Sequence, residues 1–235
     1  MKQINESFNI SSVQITPYVA GLPLDYYPDE ELPLFLPLPD QKLTYGVGYN
    51  SYRQRKELDI PYFASKSGNR ARKAWDNMMR RCYSSEQSAY EGCRVCRKWH
   101  DYQEFAEWYA SQPYAYKSDS ELDKDILDPL NMIYSPDHCS LAPKQVNLLF
   151  KDSRKLRGRL PRGVYEHSSK QGFVARISKN GKSVELGRFE FIDGAFEAYK
   201  RARQEYGKEL ATLFDGRIDP RVTERLRSLS AHIRD

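Results

Sequence analysis

The dipeptide Asn180-Gly181 limits what this chain can fold into more than any other short stretch. Both residues tolerate positive φ, which a two-residue hairpin needs at its two central positions. The flanks agree with a turn there. Phe173-Val174-Ala175-Arg176-Ile177-Ser178-Lys179 alternates apolar and polar residues, so one face is buried and the other presents Arg176 and Ser178. Ser183-Val184-Glu185-Leu186-Gly187-Arg188-Phe189 returns, with Val184, Leu186 and Phe189 inward. Upstream, Gly163-Val164-Tyr165-Glu166-His167 reads as a third strand, followed by the turn-rich Ser168-Ser169-Lys170-Gln171-Gly172. Downstream, Asp193 suits a helix N-cap. Ala195, Ala198, Tyr199, Ala202 and Tyr206 recur at helical spacing, and the alanines let that helix lie close to a sheet. Residues 162–211 therefore read as a three-stranded antiparallel sheet packed on one helix.

Charge gathers on this region. Residues 151–210 hold fifteen Lys or Arg against eight Asp or Glu, a net +7 against +5 for the whole chain. Clustered cations gain affinity for nucleic acid by releasing phosphate counterions, and the plainer alternative is a solvated basic face. The tract 151–161 reads as a basic linker. After 211, a Gly and Pro break leads to Val222, Leu226, Leu229 and Ile233 at the spacing of a last helix within 212–235. Its arginines leave both a packing role and a phosphate contact open.

The 235 residues suffice for two small domains, the composition is that of a globular chain, and the helices and strands read along it make the expected fold class α+β. No signal peptide opens the sequence and no stretch reaches the apolar length of a bilayer span, so the expectation is a cytoplasmic protein with no membrane partner. Residues 1–60 are rich in Pro, Tyr and Leu and locally acidic. They read as an extended arm that wraps the next domain, with a segment for a protein partner as the alternative. Tyr45-Gly46-Val47-Gly48-Tyr49 is too short a glycine signal for a phosphate loop and reads as a turn entering the folded unit.

From 61 to 150 the pattern is helical and then mixed. Trp75, Met78, Met79 and Cys82 share a helical face opposite Arg72, Lys73, Arg80 and Arg81. Trp99, Tyr102, Phe105, Trp108 and Tyr109 give a second helix, about 101–111, a wide aromatic stripe that reads as core. Cys93 and Cys96 form a CxxC. It is an incomplete zinc signal, open between a site finished by Cys82, His100 or Cys139 and reduced thiols, with the weight toward thiols. Residues 122–126 read as a strand and Asp128-Pro129-Leu130-Asn131 as a turn. Met132-Ile133-Tyr134 reads as a return strand, and Ser140 to Phe150 as a short helix whose start is held near Pro143.

Two resemblances add to this reading. Arg162-Gly163-Val164, Val174-Ala175-Arg176-Ile177, Leu186-Gly187-Arg188-Phe189 and Ala195-Phe196-Glu197-Ala198-Tyr199 resemble the AP2/ERF-type DNA-binding domain in its phage and bacterial form. The resemblance implies a sheet laid in the major groove of double-stranded DNA. Arg162, Tyr165, His167, Arg176, Ser178, Lys179, Lys182 and Arg188 are then the contact candidates. Tyr165, His167 and Glu185 stand where plant members carry Arg or Trp.

The tracts 75–83, 134–139 and 147–150, with the strand–strand–helix order of 121–150, resemble phage-encoded HNH (His-Me finger) endonucleases. That resemblance implies a ββα-metal core, a phage or prophage origin within a bacterial host cell, and DNA cleavage of nicking or homing type. Asp123 matches the metal-binding acidic residue and Asn147 the helical ligand of Mg²⁺ or another divalent ion. His138 falls where a loop Asn is expected, and Lys124 takes the place of the catalytic His. A lysine is a base at neutral pH only when burial lowers its pKa, and Asp123 and Asp125 beside it favour the ammonium. His138 from the loop, or Asp125 acting through the metal, then remains as the group that activates water. A DNA-binding protein with a degenerate core is the other reading.

Overall fold

The computed structural model describes residues 31–64, 69–85, 90–151, 160–168 and 171–230, and the backbone of two short strands, β1 (Tyr18–Val19) and β2 (Leu22–Pro23). The remainder of the proposed arm and most of the basic linker lie outside these residues. The architecture is α+β, with small sheets and helices around two apolar cores. Among the described residues no helix is long and apolar enough to cross a membrane.

The first core is built on α2 (Arg70–Tyr83) and α3 (Tyr102–Ser111). Asn69 caps α2 by accepting from the Ala71 N–H, and Asp101 caps α3 by accepting from the Gln103 N–H. Trp75, Met78 and Met79 face Trp99, Tyr102 and Phe105, all fully buried, so the aromatic stripe is core. Helix α1 (Tyr52–Glu57) docks on this core through a buried ion pair, with Arg55 Nη2 2.8 Å from Glu104 Oε1. Ser51 Oγ donates to Asp101 at 2.5 Å, and Tyr49 pairs with Asp101 in a parallel bridge. Further upstream, Tyr49 donates its hydroxyl to the Phe35 carbonyl and Gln54 its amide to Leu36. Within 31–60, then, the chain packs against the unit that follows it.

Strand pairing in the middle of the chain departs from the simplest sequence reading. β4 spans only Ser120–Asp123, and it pairs antiparallel with β6 (Ser140–Pro143). β5 (Ile133–Tyr134) pairs instead, in parallel, with β3 (Arg94–Val95). The expected strand 122–126 stops at Asp123 because that carboxylate turns back to accept from the N–H groups of Asp125 and Ile126, both at 2.7 Å. The expected helix from Ser140 begins at α4 (Lys144–Phe150); the four residues before it are the strand that β4 needs.

The C-terminal sheet holds β7 (Val164–Glu166), β8 (Phe173–Lys179) and β9 (Lys182–Phe189) in that order, all antiparallel. Asn180 and Gly181 carry φ of 52° and 75°, as the hairpin requires. A bulge after Ala175 sets Ala175 opposite Gly187 and Arg176 opposite Glu185, leaving Leu186 as the extra residue. Helix α5 (Ile192–Leu213) lies on the sheet through Ala195, Phe196, Tyr199, Ala202 and Tyr206. It starts one residue before Asp193, so Asp193 sits in the first turn, where its charge favours the helix dipole, rather than at the N-cap. At Gly163, with φ 78°, an added Cβ would lie 2.0 Å from the Tyr199 ring.

Helix α6 (Pro220–Arg227) closes this second core with Val222, Leu226 and the following Leu229. Ile126, Ala142, Val146 and Leu149 belong to the same core, so the ββα segment packs on the C-terminal unit. Arg221 donates to the Asp137 carbonyl at 2.6 Å and Arg225 to that of Ile126 at 3.1 Å, which makes α6 a packing helix anchored across the molecule.

Candidate functional site

Alternation along β4 places Glu121 and Asp123 on one face of the strand. β6 runs directly into α4, and α4 brings Asn147 over that face: its amide nitrogen donates to Glu121 Oε2 at 2.6 Å. Glu121, Asp123 and Asn147 line one cleft of about 820 Å³ together with Lys124 and Asp125. Arg70, Lys73 and Arg81 come from α2, and Lys144 and Lys151 from the α4 side. Six cations thus surround three carboxylates, a cationic cleft with an acidic floor.

Burial pushes the Asp123 carboxyl above its ordinary range, although the Asp125 and Ile126 N–H groups and the Lys124 charge pull the other way. Lys124 is buried, and its ammonium donates to the Asp125 carboxylate and to the Asn131 carbonyl at 2.8 Å. Burial alone would lower the lysine pKa; the hydrogen bond and charge of Asp125, with Cys93 and Asp123 behind it, turn the net shift upward. The ammonium therefore persists at neutral pH. Any stability it lends is present below the ordinary lysine value and is lost only as pH rises through the raised one. Asn131 completes the loop, donating to the Lys124 carbonyl at 3.1 Å and the Ile133 carbonyl at 2.7 Å.

His138 is not brought to this cleft. Its Nδ1 lies 2.8 Å from Ser135 Oγ in a turn, beside the carbonyls that Arg221 holds. Asp125 does line the cleft, but from a turn, not from a strand face shared with Asp123. The donor set suits a hard cation. It offers the second oxygen of Asp123, the Glu121 carboxylate, and the carbonyl of Asn147, whose amide nitrogen is committed to Glu121. Among the described residues no three His, Cys, Asp or Glu side chains close around one point. A Mg²⁺-like ion there would be completed by water and phosphate oxygens, as that ion prefers. None of the four cysteines is in a disulfide; burial drives Cys139 well above the ordinary range and Cys82 up to about 12.

The second surface is the sheet face turned away from α5. Tyr165, Arg176, Ser178 and Arg188 share it, with Val174 buried in the row between Tyr165 and Arg188. Arg176 lies over the Tyr165 ring, 5.9 Å from its centre. Glu185 sits between the two arginines, 3.2 Å from Arg176 and 3.5 Å from Arg188, and Arg176 foremost holds its carboxyl below the usual range.

Other expected contacts point elsewhere. Lys179 falls on the helix side of the sheet, over the Tyr206 ring and 3.2 Å from Glu209. Lys182 is its register partner on the same side and is exposed. Arg162 donates to the Leu148 and Leu149 carbonyls at 3.3 and 2.9 Å, closing the C-terminus of α4. His167 is half-buried at the end of β7, and its N–H donates to Gly172.

Glu121 escaped the sequence reading although strand alternation with Asp123 marks it. Asn131 escaped it because nothing local shows which carbonyl its side chain will hold. No family model matches this chain, and comparison with curated proteins and with solved structures finds no match.

Proposed function

We propose that this chain is a metal-dependent DNA endonuclease, nicking or homing in type and phage or prophage in origin. In it an AP2-like sheet binds duplex DNA and an HNH-like unit cuts it. The observation that supports it most is the cleft in which Asp123, Glu121 and Asn147 form an oxygen-rich floor between walls of Arg and Lys. Asp123 and Asn147 would hold the divalent ion. The chemistry such an ion supplies is acidification of water and Lewis-acid stabilisation of the phosphodiester's leaving oxygen. Asp125, half exposed in the cleft, accepts a proton from the water whose oxygen bonds to phosphorus, while the P–O bond to the sugar oxygen breaks and that oxygen takes a proton from solvent. Lys124 serves as a fixed positive charge beside the phosphate, not as a base, and Asn131 takes the loop role that His138 was expected to fill. Arg70, Lys73 and Arg81 neutralise backbone phosphates.

A second reading, DNA binding without cleavage, is favoured by one fact: among the described residues no imidazole lines the cleft. The purified chain, incubated with supercoiled plasmid and a series of divalent ions, separates the two. Nicking with Mg²⁺ or Mn²⁺, retained in His138→Ala, supports the endonuclease. A shifted plasmid that no ion causes to be cut supports the binding protein.

The sheet is tested separately. Arg176→Ala is expected to lower the salt dependence of DNA affinity by about one unit of slope, as for one lost phosphate contact. Arg162→Ala is expected to leave the slope unchanged, since its guanidinium is turned to α4. Equal slopes for Arg176→Ala and the unaltered chain would remove this face from DNA binding.

A further inference from the structure

Leu130 is 87% exposed, more than any other large apolar side chain among the described residues. It stands at the tip of a turn that is held on every side. The Asn131 N–H donates to the Asp128 carbonyl at 3.1 Å, and the Leu130 N–H to Asp128 Oδ1 at 2.9 Å. Pro129 fixes the backbone before it, and Asn131 after it is pinned by its own amide to Lys124 and Ile133. A single exposed leucine is ordinary by itself; the setting of this one is what gives it a role. Pro129 and Met132, one residue before and two after it, line the cationic cleft, and Leu148 lines the same cleft from α4. An apolar tip therefore projects from the rim of a groove whose walls carry Arg70, Lys73, Arg81 and Lys144. Polyanions fit such walls, and a nucleic-acid duplex, DNA on the reading proposed above, offers stacked apolar planes between its phosphate rows.

We propose that Leu130 is a wedge: it enters between adjacent base pairs of the duplex whose backbone lies in the cleft, unstacks that step and bends the DNA. Apolar side chains inserted in this way bend a duplex by ~20–90° and expose more of its backbone to the protein. Opening one step beside Asp123 brings a strand's phosphodiester toward the acidic floor. This inference rests on the DNA-binding part of the proposed function and adds a positioning residue to it.

The test uses the full chain, a duplex of ~30 bp with a donor and acceptor dye at its ends, and EDTA to prevent cutting. Saturating protein is expected to raise energy transfer, as a bend within the ~20–90° range would. Leu130→Ser is expected to return transfer to the free-duplex value while the salt slope of binding, set by phosphate contacts, is unchanged. Leu130→Met restores the bend. In Leu130→Trp, the indole at position 130 is quenched when duplex is added, as stacking on bases requires. A duplex that binds but stays straight overturns the wedge alone, and so does Leu130→Ser bending as well as the unaltered chain; the leucine then faces some other partner, such as a protein. A duplex that does not bind overturns the wedge and the DNA reading together.

Discussion

Asp123→Asn is expected to reduce Mg²⁺-dependent nicking by about 100-fold or more, the least expected for a metal's direct ligand when losing its supporting shell alone costs ~10–100-fold. The substitution is chosen for what it keeps. An asparagine oxygen still accepts from the Asp125 and Ile126 N–H groups, so the turn that ends β4 survives. Only the charge, and with it the pull on a divalent cation, is removed. Asp123→Ala would remove both and would also expose the fold to the loss of two short hydrogen bonds, of order 1 kcal/mol each. Circular dichroism and melting of Asp123→Asn should match the unaltered chain. Asn147→Ala should lower activity as well, with Glu121 losing its 2.6 Å partner. Full nicking by Asp123→Asn would place the cutting chemistry somewhere other than this cleft.

How much of this was readable from the residues depends on how local the cause is. The sheet was readable because its causes are local: a two-residue turn with two positive φ values, and alternation on both sides of it. The same alternation already held the answer for Lys179. Residues 173, 175, 177 and 179 fall on one face, and Ala175 and Ile177 show that it is the buried one. Helices α2 and α3 were readable from their apolar spacing. The ββα segment was readable as a set of pieces but not as a pairing. Met132-Ile133-Tyr134 is a strand, yet its partner is Arg94–Val95, some forty residues back, and no local pattern states that. The choice is made by Lys124 and Asn131, whose mutual bonds close residues 124–131 into a loop and deny β4 its nearest neighbour. Arg162 shows the same limit: its neighbours in sequence suggest a free cation, and only packing reveals the carbonyls at the end of α4.

The largest effect on stability is expected outside the cleft. Arg55 and Glu104 are both almost fully buried, with Nη2 2.8 Å from Oε1, and Arg55 also donates to the Pro61 carbonyl at 3.1 Å. Arg55→Ala leaves Glu104 as an unpaired buried charge, which costs about 3–5 kcal/mol. For a chain of this length that is a fall in Tm of about 10 °C. The exposed pair Arg53–Asp40, 3.2 Å apart on the next residue but one, provides the contrast, because exposed pairs contribute about 0–1 kcal/mol. Arg53→Ala should therefore leave Tm nearly unchanged. The double substitution Arg55→Met with Glu104→Leu removes both charges and should recover most of the loss, since a buried pair is often matched by apolar residues of similar volume. These three melting curves also decide what residues 44–64 are to the fold. A segment merely laid along the surface would leave Tm unaffected by Arg55→Ala. A segment joined to α3 by Tyr49–Asp101, Ser51–Asp101 and Arg55–Glu104 carries part of the cooperative unit, and its loss should unfold the helix that packs behind the cleft.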